Sequence, residues 1–461
     1  MHFRTINVWQ LKNIGDSILV KRIGRRPIIL GAFHRLKKEQ NVAGDFVVFQ
    51  FLGDIRKPHS LYCYSTDLNG KQSITRAHVQ RIHEGKRAAN DICTWAGHLA
   101  ECEVAREMIS TRPDDPNPTT VSIEQPHVEQ EHRLVVCIAP LYTYTGWQTL
   151  LLGIEGWLAL GATKIIIPVQ TASADVMRLL QAYEKLGIVV IRPWPIWPVL
   201  SDVNPNGVVL SRGIEESHVN CLHYVKPFAR LVVFTDLDDM LMPKDLSQIH
   251  PTSAIEILEN LLIEHPQAGS FLFEHKDVQL LLPNEVNKTT LEDFSFDFLL
   301  NTQAKTECSV RRIKTRVAAV ASRLDSINMH ESGIHRFGAV QVRVPCRKAH
   351  FSHFRHTHKK IASALKVDPT KLSFDDYDYC MASISNEMYT LVVSRCLTPH
   401  VCFSRVLCRE MECVAVLGKY NFSYYDGDFV IVLDEAKFVR SEPNCESPPS
   451  VFVQGNHFYI P

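Results

Sequence analysis

Three carboxylates follow one apolar run of the chain. The run Leu231-Val232-Val233-Phe234-Thr235 is typical of a strand that is covered on both faces, and Asp236-Leu237-Asp238-Asp239 comes directly after it. Like charges so close together raise one another's pKa unless a cation offsets them, and a divalent ion with oxygen ligands is the usual cation. Alternation along the chain places Asp236 and Asp238 on the same side, so both can bind one ion. The spacing predicts a metal site, and a solvated acidic turn is the alternative.

Two kinds of enzyme place an Asp-x-Asp sequence after an apolar strand. Nucleotide-sugar glycosyltransferases use it to hold Mn²⁺ or Mg²⁺ against a diphosphate, where the metal neutralises charge on the departing nucleotide. Phosphatases of the haloacid-dehalogenase type use the first Asp, here Asp236, as a nucleophile. Their motif normally continues to Thr or Val two residues past the second Asp, where this chain has Met240, and it usually sits on the first strand of the fold. Both differences favour the glycosyltransferase interpretation.

A histidine-rich segment lies downstream of the carboxylates. It contains His350, His353, His356 and His358. Imidazole is a ligand for Mn²⁺ and Zn²⁺, so one histidine from this segment can complete a site that begins with two carboxylates. The alternative is a basic, partly exposed surface stretch.

The chain around the carboxylates alternates between predicted strands and helices. Apolar runs predict strands at Leu134–Ala139, Lys164–Val169, Ile188–Arg192 and Leu231–Thr235, and helical spacing predicts helices at Trp147–Leu160, Asp175–Leu186 and Ser211–Tyr224. This alternation predicts an α/β fold with a mostly parallel sheet and helices on both faces. Ligands of such sheets bind beyond the carboxyl ends of the strands, which is where the three carboxylates stand.

Composition and pattern divide the chain into four regions. They are a β-rich N-terminal accessory region at 1–110, a linker at 111–131, a catalytic domain at 132–360 and a C-terminal region of unassigned role at 361–461. In the first region, strands are predicted at Pro27–Phe33 and Asp45–Leu52, and a helix at Thr75–Ala89. The linker is proline-rich and polar, a composition that does not build a core element.

Charge and hydropathy exclude some classes of protein. The 461 residues carry 50 Lys and Arg against 50 Asp and Glu, so the chain has no net field for recruiting nucleic acid. No run approaches the 18 apolar residues of a membrane-spanning helix, and the first thirty residues lack the core of a signal peptide. Taken literally, the sequence predicts a soluble chain without a targeting signal.

The cysteines do not identify the cellular compartment of the protein. There are 13, and the sequence contains no Cys-x-x-Cys pair, which argues against a zinc ribbon or a thioredoxin-type site. The C-terminal set of Cys396, Cys402, Cys408 and Cys413 fits disulfides as well as it fits buried thiols. Two glycosylation sequons, at Asn287 and Asn421, matter only in the secretory pathway.

Several segments, taken in order, resemble glycosyltransferase family 92. They are Val135–Tyr142, Leu160–Thr163, Tyr183–Gly187, Phe234–Pro243 and His353–Arg355. The similarity extends over about residues 133–357, and the N-terminal part, including Cys93–His98 and Cys102, resembles the lumenal β-rich region of the family. No resemblance extends past about residue 365.

The resemblance implies a GT-A-type, Rossmann-like fold and an inverting transfer of a hexose, galactose in known members, from a UDP-sugar. The acceptor would be a glycan on a glycoprotein or a polysaccharide, and the cofactor Mn²⁺ or Mg²⁺. Carried over by position, Asp236 and Asp238 would bind the metal and the diphosphate, and His353 would be the third ligand. Arg355 would lie near the diphosphate, and Arg212 would face the donor.

The chain departs from the family pattern in a few places. The family usually has Glu-Phe where this chain has Asp239-Met240, and Tyr where it has Phe354; neither difference removes a charge. Family members are expected as single-pass membrane proteins of the Golgi lumen, whereas no anchor is visible here. A truncated start is the interpretation that reconciles the two.

An inverting transfer needs a carboxylate base on the acceptor side, and the sequence leaves its identity open. Glu274, Asp325 and Glu331 are the candidates, and each can also be a surface carboxylate. Lys314 and His330 match a family segment that lines the acceptor pocket. Besides the phosphatase, a catalytically inactive glycan-binding member of the family remains an alternative.

Overall fold

The computed structural model describes residues 5–9, 27–35, 45–66, 69–82, 93–104, 119–124, 130–200, 203–245, 248–279, 303–304, 308, 315–328, 330–336, 338–355, 412–425, 428–441, 448 and 450–454. Among the predicted site residues, Lys314, His356, His358 and the side chain of Arg355 lie outside this part. Within it, no helix has the length and apolar character needed to cross a membrane.

Strands make up the described N-terminal part. They are β1 (Thr5–Trp9), β2 (Ile28–Arg35), β3 (Asp45–Asp54), β4 (Tyr62–Thr66), β5 (Gln72–Arg76), β6 (His78–Arg81), β7 (Trp95–Val104) and β8 (Thr119–Ser122). The strands predicted at Pro27–Phe33 and Asp45–Leu52 are confirmed as β2 and β3. The helix predicted over Thr75–Ala89 is wrong up to Arg81, because β5 pairs with β4 and β6 pairs with β7. Residues 83–89 lie outside the described residues.

The strand β8 lies inside the predicted linker, 111–131. It pairs with β1, and its Val121 is buried in the N-terminal core. The prediction that this segment contributes no core element is therefore wrong for 119–122. The proline-rich composition of the segment led to the linker prediction, although the segment also contains Val121 and Ile123, both of which are buried.

The central part alternates strands and helices as predicted. Its elements are β9 (His132–Ile138), α1 (Trp147–Ala159), β10 (Lys164–Val169), β11 (Thr171–Ser173), α2 (Ala174–Lys185), β12 (Val189–Pro193), α3 (Pro205–Val208), α4 (Ile214–Val225), β13 (Ala229–Thr235), β14 (Asp239–Pro243), α5 (Ser253–Glu264), β15 (Ala268–Gln279), β16 (Gln303–Ala304), β17 (Thr315–Val320), β18 (Val340–Val344) and β19 (Ala349–Arg355). The four strands and three helices predicted here are confirmed, with ends shifted by a few residues. The start of the third helix, Leu210–Gly213, is a 3-10 turn that precedes α4.

The central sheet has the order β12-β10-β9-β13-β17-β15-β19-β14, with β16 and β18 beside β15. The first four strands are parallel to one another. Beyond β13 the sheet is mixed, because β17 runs antiparallel to both β13 and β15, and β14 runs antiparallel to β19. The expected mostly parallel sheet is thus found in one half, and the fold as a whole is mixed α/β.

Helices cover both faces of this sheet, as predicted. Along β9, Leu134 and Val136 pack into one core with α1, α2 and α5, while Val135 and Cys137 pack into a second core with α4. Both faces are apolar because both are covered, which explains the continuous apolar runs in the sequence. The carboxyl ends of β9, β10, β12 and β13 therefore meet at one edge, called here the carboxyl edge.

A further sheet joins the two ends of the chain. The C-terminal strands are β20 (Cys413–Tyr425), β21 (Asp428–Ser441) and β22 (Val451–Gln454). They enter a sheet of order β11-β20-β21-β2-β3-β7-β6, in which β20 pairs with β11 of the central part and β21 pairs with β2 of the N-terminal part. The predicted N-terminal, catalytic and C-terminal regions thus contribute strands to one sheet.

Disulfides link the described elements. Cys63 is bonded to Cys102, Cys137 to Cys221 and Cys308 to Cys346. The second of these ties β9 to α4 inside the core. Cys93 and Cys413 are also disulfide-bonded.

Candidate functional site

The three carboxylates lie in a tight turn between β13 and β14, at the carboxyl edge. The amide of Asp239 donates a hydrogen bond to the carbonyl of Asp236, which closes the turn. Helix α1 packs directly on it. A Cβ at Gly153 would overlap the carbonyl oxygen of Leu237, and a Cβ at Gly156 would overlap the side chain of Met240. These two glycines therefore let the helix approach the turn closely.

Strand pairing brings His353 to this turn. In the antiparallel pair of β14 and β19, Asp239 lies opposite His353, and the amide of Phe354 donates to the carbonyl of Asp238 at 2.7 Å. Strand β19 also runs beside β15, where Asp277 lies opposite His353. The structure thus brings His353 to the turn that holds Asp236 and Asp238, from which it is distant in the sequence.

The side chains of these residues form a cluster in which solvent exposure increases from Asp239 to Asp238 to Asp236. Asp239 is fully buried, the side chain of Asp238 is 30% exposed and that of Asp236 is 41% exposed. His353 hydrogen-bonds through Nδ1 to Oδ1 of Asp239, and its Nε2 lies 3.8 Å from Oδ2 of Asp238. Two carboxylates and an imidazole nitrogen therefore converge at the solvent side of the cluster.

Arg316 was not predicted from the sequence, yet it is central to the site. It lies on β17, next to β13, and its Nε donates to Oδ2 of Asp239 at 2.6 Å while its Nη2 donates to Oδ2 of Asp236. Burial would lower the pKa of Arg316, but the carboxylates more than offset this and raise it above its ordinary value. A single arginine in an otherwise apolar strand, Thr315–Val320, was the signal that could have identified it.

Three more histidines surround the cluster. His275 stacks on His353, with ring centroids 5.2 Å apart, and His330 lies 3.5 Å from Nη1 of Arg316. His218, on α4, packs against Phe234. Burial lowers the pKa of His275 to about 3 and that of His218 to about 4. Both imidazoles are therefore neutral near pH 7 and add no positive charge.

The charges in the cluster do not balance. Burial, with the neighbouring Asp239 and Asp236 carboxylates, raises the pKa of Asp238 to about 7, although His353 and Arg316 act in the opposite sense. Arg316 supplies one positive charge against three carboxylates. A divalent ion would neutralise this excess, and a donor set of two carboxylates and one imidazole suits Mn²⁺. The residues present therefore fit the expected metal.

A neighbouring histidine does not take part. His350, also on β19, lies close to Cys308 and Cys346, but these two cysteines are joined in a disulfide and are not thiolate ligands. Burial lowers the pKa of His350 to about 4. Among the described members of the histidine-rich segment, it is His353 that reaches the carboxylates.

The predicted donor-binding residue Arg212 lies at the same edge of the sheet. Its backbone is left-handed, with φ of 54°, and its carbonyl accepts a hydrogen bond from the hydroxyl of Tyr142 at 2.7 Å. Tyr142 follows β9, whose last residue pairs with Thr235. The structure therefore places Arg212 in contact with Tyr142, in the segment that follows β9, and β9 is the strand that pairs with β13 before the metal turn.

The candidate bases occupy three different environments. Glu274 accepts from Arg343 at 2.7 Å. Asp325 lies at the opposite edge of the sheet, beyond Val320, where it pairs with Lys226 at 2.8 Å and with Arg336.

Glu331, by contrast, is next to His330 in a turn at the carboxyl edge. The ring of His330 lies 3.1 Å from the carbonyl of Thr315 and 3.5 Å from Arg316, and the carbonyl of Glu331 accepts from the amide of Asn328. Glu331 and Glu274, which lies opposite Thr315 in the strand pair, are thus the candidates at the carboxyl edge, whereas Asp325 lies at the other edge.

Comparisons with known proteins identify relatives of the central part of the chain. A profile of glycosyltransferase family 92 matches residues 132–392, which is more than half of the chain. Two curated relatives from Caenorhabditis elegans, glycosyltransferase family 92 proteins F13G3.3 and ZK381.2, are each 24% identical, over 233 and 217 residues. The matches cover 48% and 46% of this chain but 43% and 40% of the relatives, so the chain spans less than half of their length.

One solved structure with a similar chain path is S. aureus TarS 1-349 in complex with UDP-GlcNAc. It is 14% identical, with a TM-score of 0.27, over 59% of this chain and 74% of that chain. A TM-score this low supports no conclusion about fold or ligand.

Proposed function

Because the chain belongs to glycosyltransferase family 92, we propose that it transfers a hexose, galactose in the first instance, from a UDP-sugar to a hydroxyl of a glycan. The observation that carries this proposal is that Asp236 and Asp238 stand together in the turn at the carboxyl edge and that Nε2 of His353 lies 3.8 Å from Oδ2 of Asp238. In the proposed site these three residues hold Mn²⁺ or Mg²⁺. We propose a GT-A-type, Rossmann-like fold, supported by the parallel strands that end at this edge.

The bound metal would supply charge stabilisation to the diphosphate as the sugar departs. The residues of the chain do the rest. Asp236 and Asp238 would hold the ion, and Arg316 holds Asp236 in place by its Nη2 contact. Arg355 and Arg212 are proposed to contact the donor, because a guanidinium offers paired donors to phosphate oxygens.

An inverting transfer is proposed, in which a carboxylate removes the proton from the acceptor hydroxyl as it attacks the anomeric carbon. Glu331 is best supported as the base, because its turn lies beside His330 and Arg316.

The cellular setting is also a proposal. Disulfides between described residues, such as Cys63–Cys102 and Cys137–Cys221, are typical of an oxidising compartment. Together with the family, they support the lumen of the Golgi or another part of the secretory pathway. The proposed partners are a UDP-sugar and a glycan acceptor on a glycoprotein or a polysaccharide. Membrane association is proposed from the family alone.

The test is a screen of the purified chain against UDP-sugars, with Mn²⁺, with Mg²⁺ and with chelator. We expect UDP release from UDP-galactose that requires the divalent ion and collapses in Asp238→Asn. A matched control is Asp434→Asn, which changes the same side chain in an exposed pair with Lys419 on the distant C-terminal hairpin. Full activity in chelator or in Asp238→Asn would contradict the proposal.

The same samples separate the two alternatives. A phosphatase would release phosphate from small phosphomonoesters and form an aspartyl-phosphate at Asp236. The contact of Asp236 with Arg316 disfavours this role, since a guanidinium withdraws charge from the attacking oxygen. An inactive glycan-binding protein would bind glycans without any metal-linked binding of UDP, which calorimetry measures.

A further inference from the structure

We propose that Asp239 is a positioning residue that sets the tautomer and the orientation of His353 for metal binding. The inference rests on the proposed metal site. Asp239 is fully buried and lies opposite His353 in the strand pair, so its carboxylate faces the ring edge rather than solvent. The contact joins Oδ1 of Asp239 to Nδ1 of His353.

The chemistry of the pair fixes which atom carries the hydrogen. Oδ2 of Asp239 receives the Nε hydrogen of Arg316 at 2.6 Å, as expected of an ionised carboxylate, which can only accept. Nδ1 of His353 must then donate. A neutral imidazole carries one hydrogen, so Nε2 of His353 carries none and acts as an acceptor or a ligand.

That nitrogen lies near the metal turn. Nε2 of His353 lies 3.8 Å from Oδ2 of Asp238. Two ligand atoms that each lie about 2.1 Å from a first-row divalent ion are separated by about 3 to 4 Å, so this spacing suits a shared ion. A carboxylate that holds the far nitrogen of a ligating histidine is a recurrent device of metal sites.

Packing holds the ring in this plane. The ring of His275 stacks on that of His353 at an interplanar angle of 13°, and Phe351 lies beside His275 on the next strand. Rotation of His353 about its side-chain bonds would break both the stacking and the Asp239 contact. The ring is therefore prepared before the ion binds.

A rival arrangement uses some of the same atoms. Nε2 of His275 lies 3.7 Å from Oδ1 of Asp239, so Asp239, His275 and His353 could themselves surround an ion. Asp239 itself opposes this arrangement, because its Oδ1 contacts Nδ1 of His353 and its Oδ2 accepts from Nε of Arg316, so both of its oxygens are already engaged. The rival predicts that His275 is a ligand, whereas the proposal gives it only a stacking role.

The main experiment measures Mn²⁺ affinity by electron paramagnetic resonance in the wild type, Asp239→Asn, His353→Gln and the double variant. We expect Asp239→Asn to weaken Mn²⁺ binding by about 10- to 100-fold, the usual effect of losing such a partner. In the His353→Gln background, the same change should cost less than about twofold, because Asp239 acts through the imidazole. An unchanged affinity, or an equal loss in both backgrounds, would overturn the proposal.

Two further variants sharpen the result. His275→Phe keeps a stacking ring without nitrogen and should leave Mn²⁺ affinity within about twofold, whereas the rival arrangement predicts a loss as large as that of His353→Gln. Asp434→Asn is the matched control. If the wild type itself binds no Mn²⁺, the proposed function fails with the inference. If the wild type binds Mn²⁺ and Asp239→Asn binds it equally well, only the inference fails.

A measurement on the unmutated chain covers the case in which Asp239→Asn does not fold. Nitrogen-15 NMR of histidine-labelled wild type, with His353 assigned by its absence in His353→Gln, reports which ring nitrogen carries the hydrogen. Without metal at pH 8, the hydrogen is expected on Nδ1. A hydrogen on Nε2 would overturn the proposal.

Discussion

Two buried carboxylates at opposite edges of the central sheet have opposite surroundings. At the carboxyl edge, Asp239 pairs with Arg316 but has two further carboxylates, Asp236 and Asp238, beside it. At the other edge, Asp325 accepts from Lys226 and Arg336 and lies 3.9 Å from Nη2 of Arg35, three cations for one carboxylate. The sheet therefore has an excess of negative charge at one edge and none at the other.

The pKa values express this difference. The pKa of Asp325 lies below its ordinary value, because Lys226 and Arg336 more than offset the effect of burial. Despite burial, Arg316 lowers the pKa of Asp239 as well, so the difference appears at its neighbour Asp238, whose pKa is raised to about 7 by burial and by the other two carboxylates. A buried carboxylate with enough cations is a structural group, whereas a set of carboxylates that lacks them is suited to bind a cation.

Neutralising one carboxylate at each edge tests the comparison most strongly. Asp238→Asn should lower transfer by about 1,000-fold, equivalent to about 4 kcal/mol, because a metal ligand is lost. Its melting temperature should stay level or rise, since like charges are relieved. Initial rates of UDP release and thermal melts measure both. A lower melting temperature with normal activity would reverse the assignment of this edge.

The Asp-to-Asn change at the other edge should lower stability and leave activity unchanged. Asp325→Asn leaves Lys226 and Arg336 without their partner, and breaking a buried pair costs about 3 to 4 kcal/mol. Denaturant unfolding measures this loss, and activity per folded molecule should be unchanged. If activity falls while stability holds, Asp325 is the catalytic base after all.

A third buried carboxylate has no cation partner among the described residues. Glu216, on α4, accepts from the amide of Gly97 at 2.8 Å, and its Oε2 is buried without a partner there. Burial raises its pKa from 4.5 to about 7. Its protonated form is favoured by folding, so this stability is full below about pH 4.5 and is lost as the pH rises to about 7.

Glu216→Gln should remove that pH dependence. The amide keeps the acceptor for Gly97 and carries no charge, so the variant should gain about 3 kcal/mol over the wild type at pH 8 and little at pH 4. Denaturant unfolding at the two pH values measures the difference. An equal effect at both would show that Glu216 does not titrate in this range.

The smallest effect concerns the support of the metal turn. Gly153→Ala places a methyl group against the carbonyl of Leu237 and should cost about 1 to 3 kcal/mol, with loss of Mn²⁺ affinity as the turn shifts. Gly146→Ala is the control, because a Cβ there has its nearest contact at 3.5 Å. Thermal melts and Mn²⁺ titrations of both variants measure the contrast. Equal behaviour would mean that α1 does not hold the turn.

Much of the central sheet followed from the sequence, for a physical reason. Strands such as β9 and β13 are covered on both faces, so they are continuous apolar runs between helices with clear spacing. The edge strands β5 and β6 gave no such signal. Their polar, helix-compatible residues become strands because β4 and β7 offer backbone partners, and that information lies outside the segment.

Only some residues of the site were predictable from the sequence. Asp236 and Asp238 stand directly after a strand, so the local sequence identifies them, and the resemblance adds His353. Arg316 and His275 reach the cluster through the order of β13, β17, β15 and β19, which no local spacing encodes. For the same reason, the sequence could not distinguish Asp325 from Glu331 as the candidate base. Asp325 lies at the opposite edge of the sheet, and Glu331 lies at the carboxyl edge.

The strand pairing between the two ends of the chain has a consequence for the limits of the molecule. The segment that matches the family, 132–392, includes β11 but neither β20, which pairs with it, nor β2 and β3. Cut to that segment, the protein would lose the cover over the α4 side chains Glu216 and Asn220, which bond Gly97 and Gln50. The backbone groups of β11 that pair with β20 would be left unpaired, and an unpaired strand edge favours pairing with other chains. The folded unit that this sheet joins thus extends beyond the segment that the family profile matches.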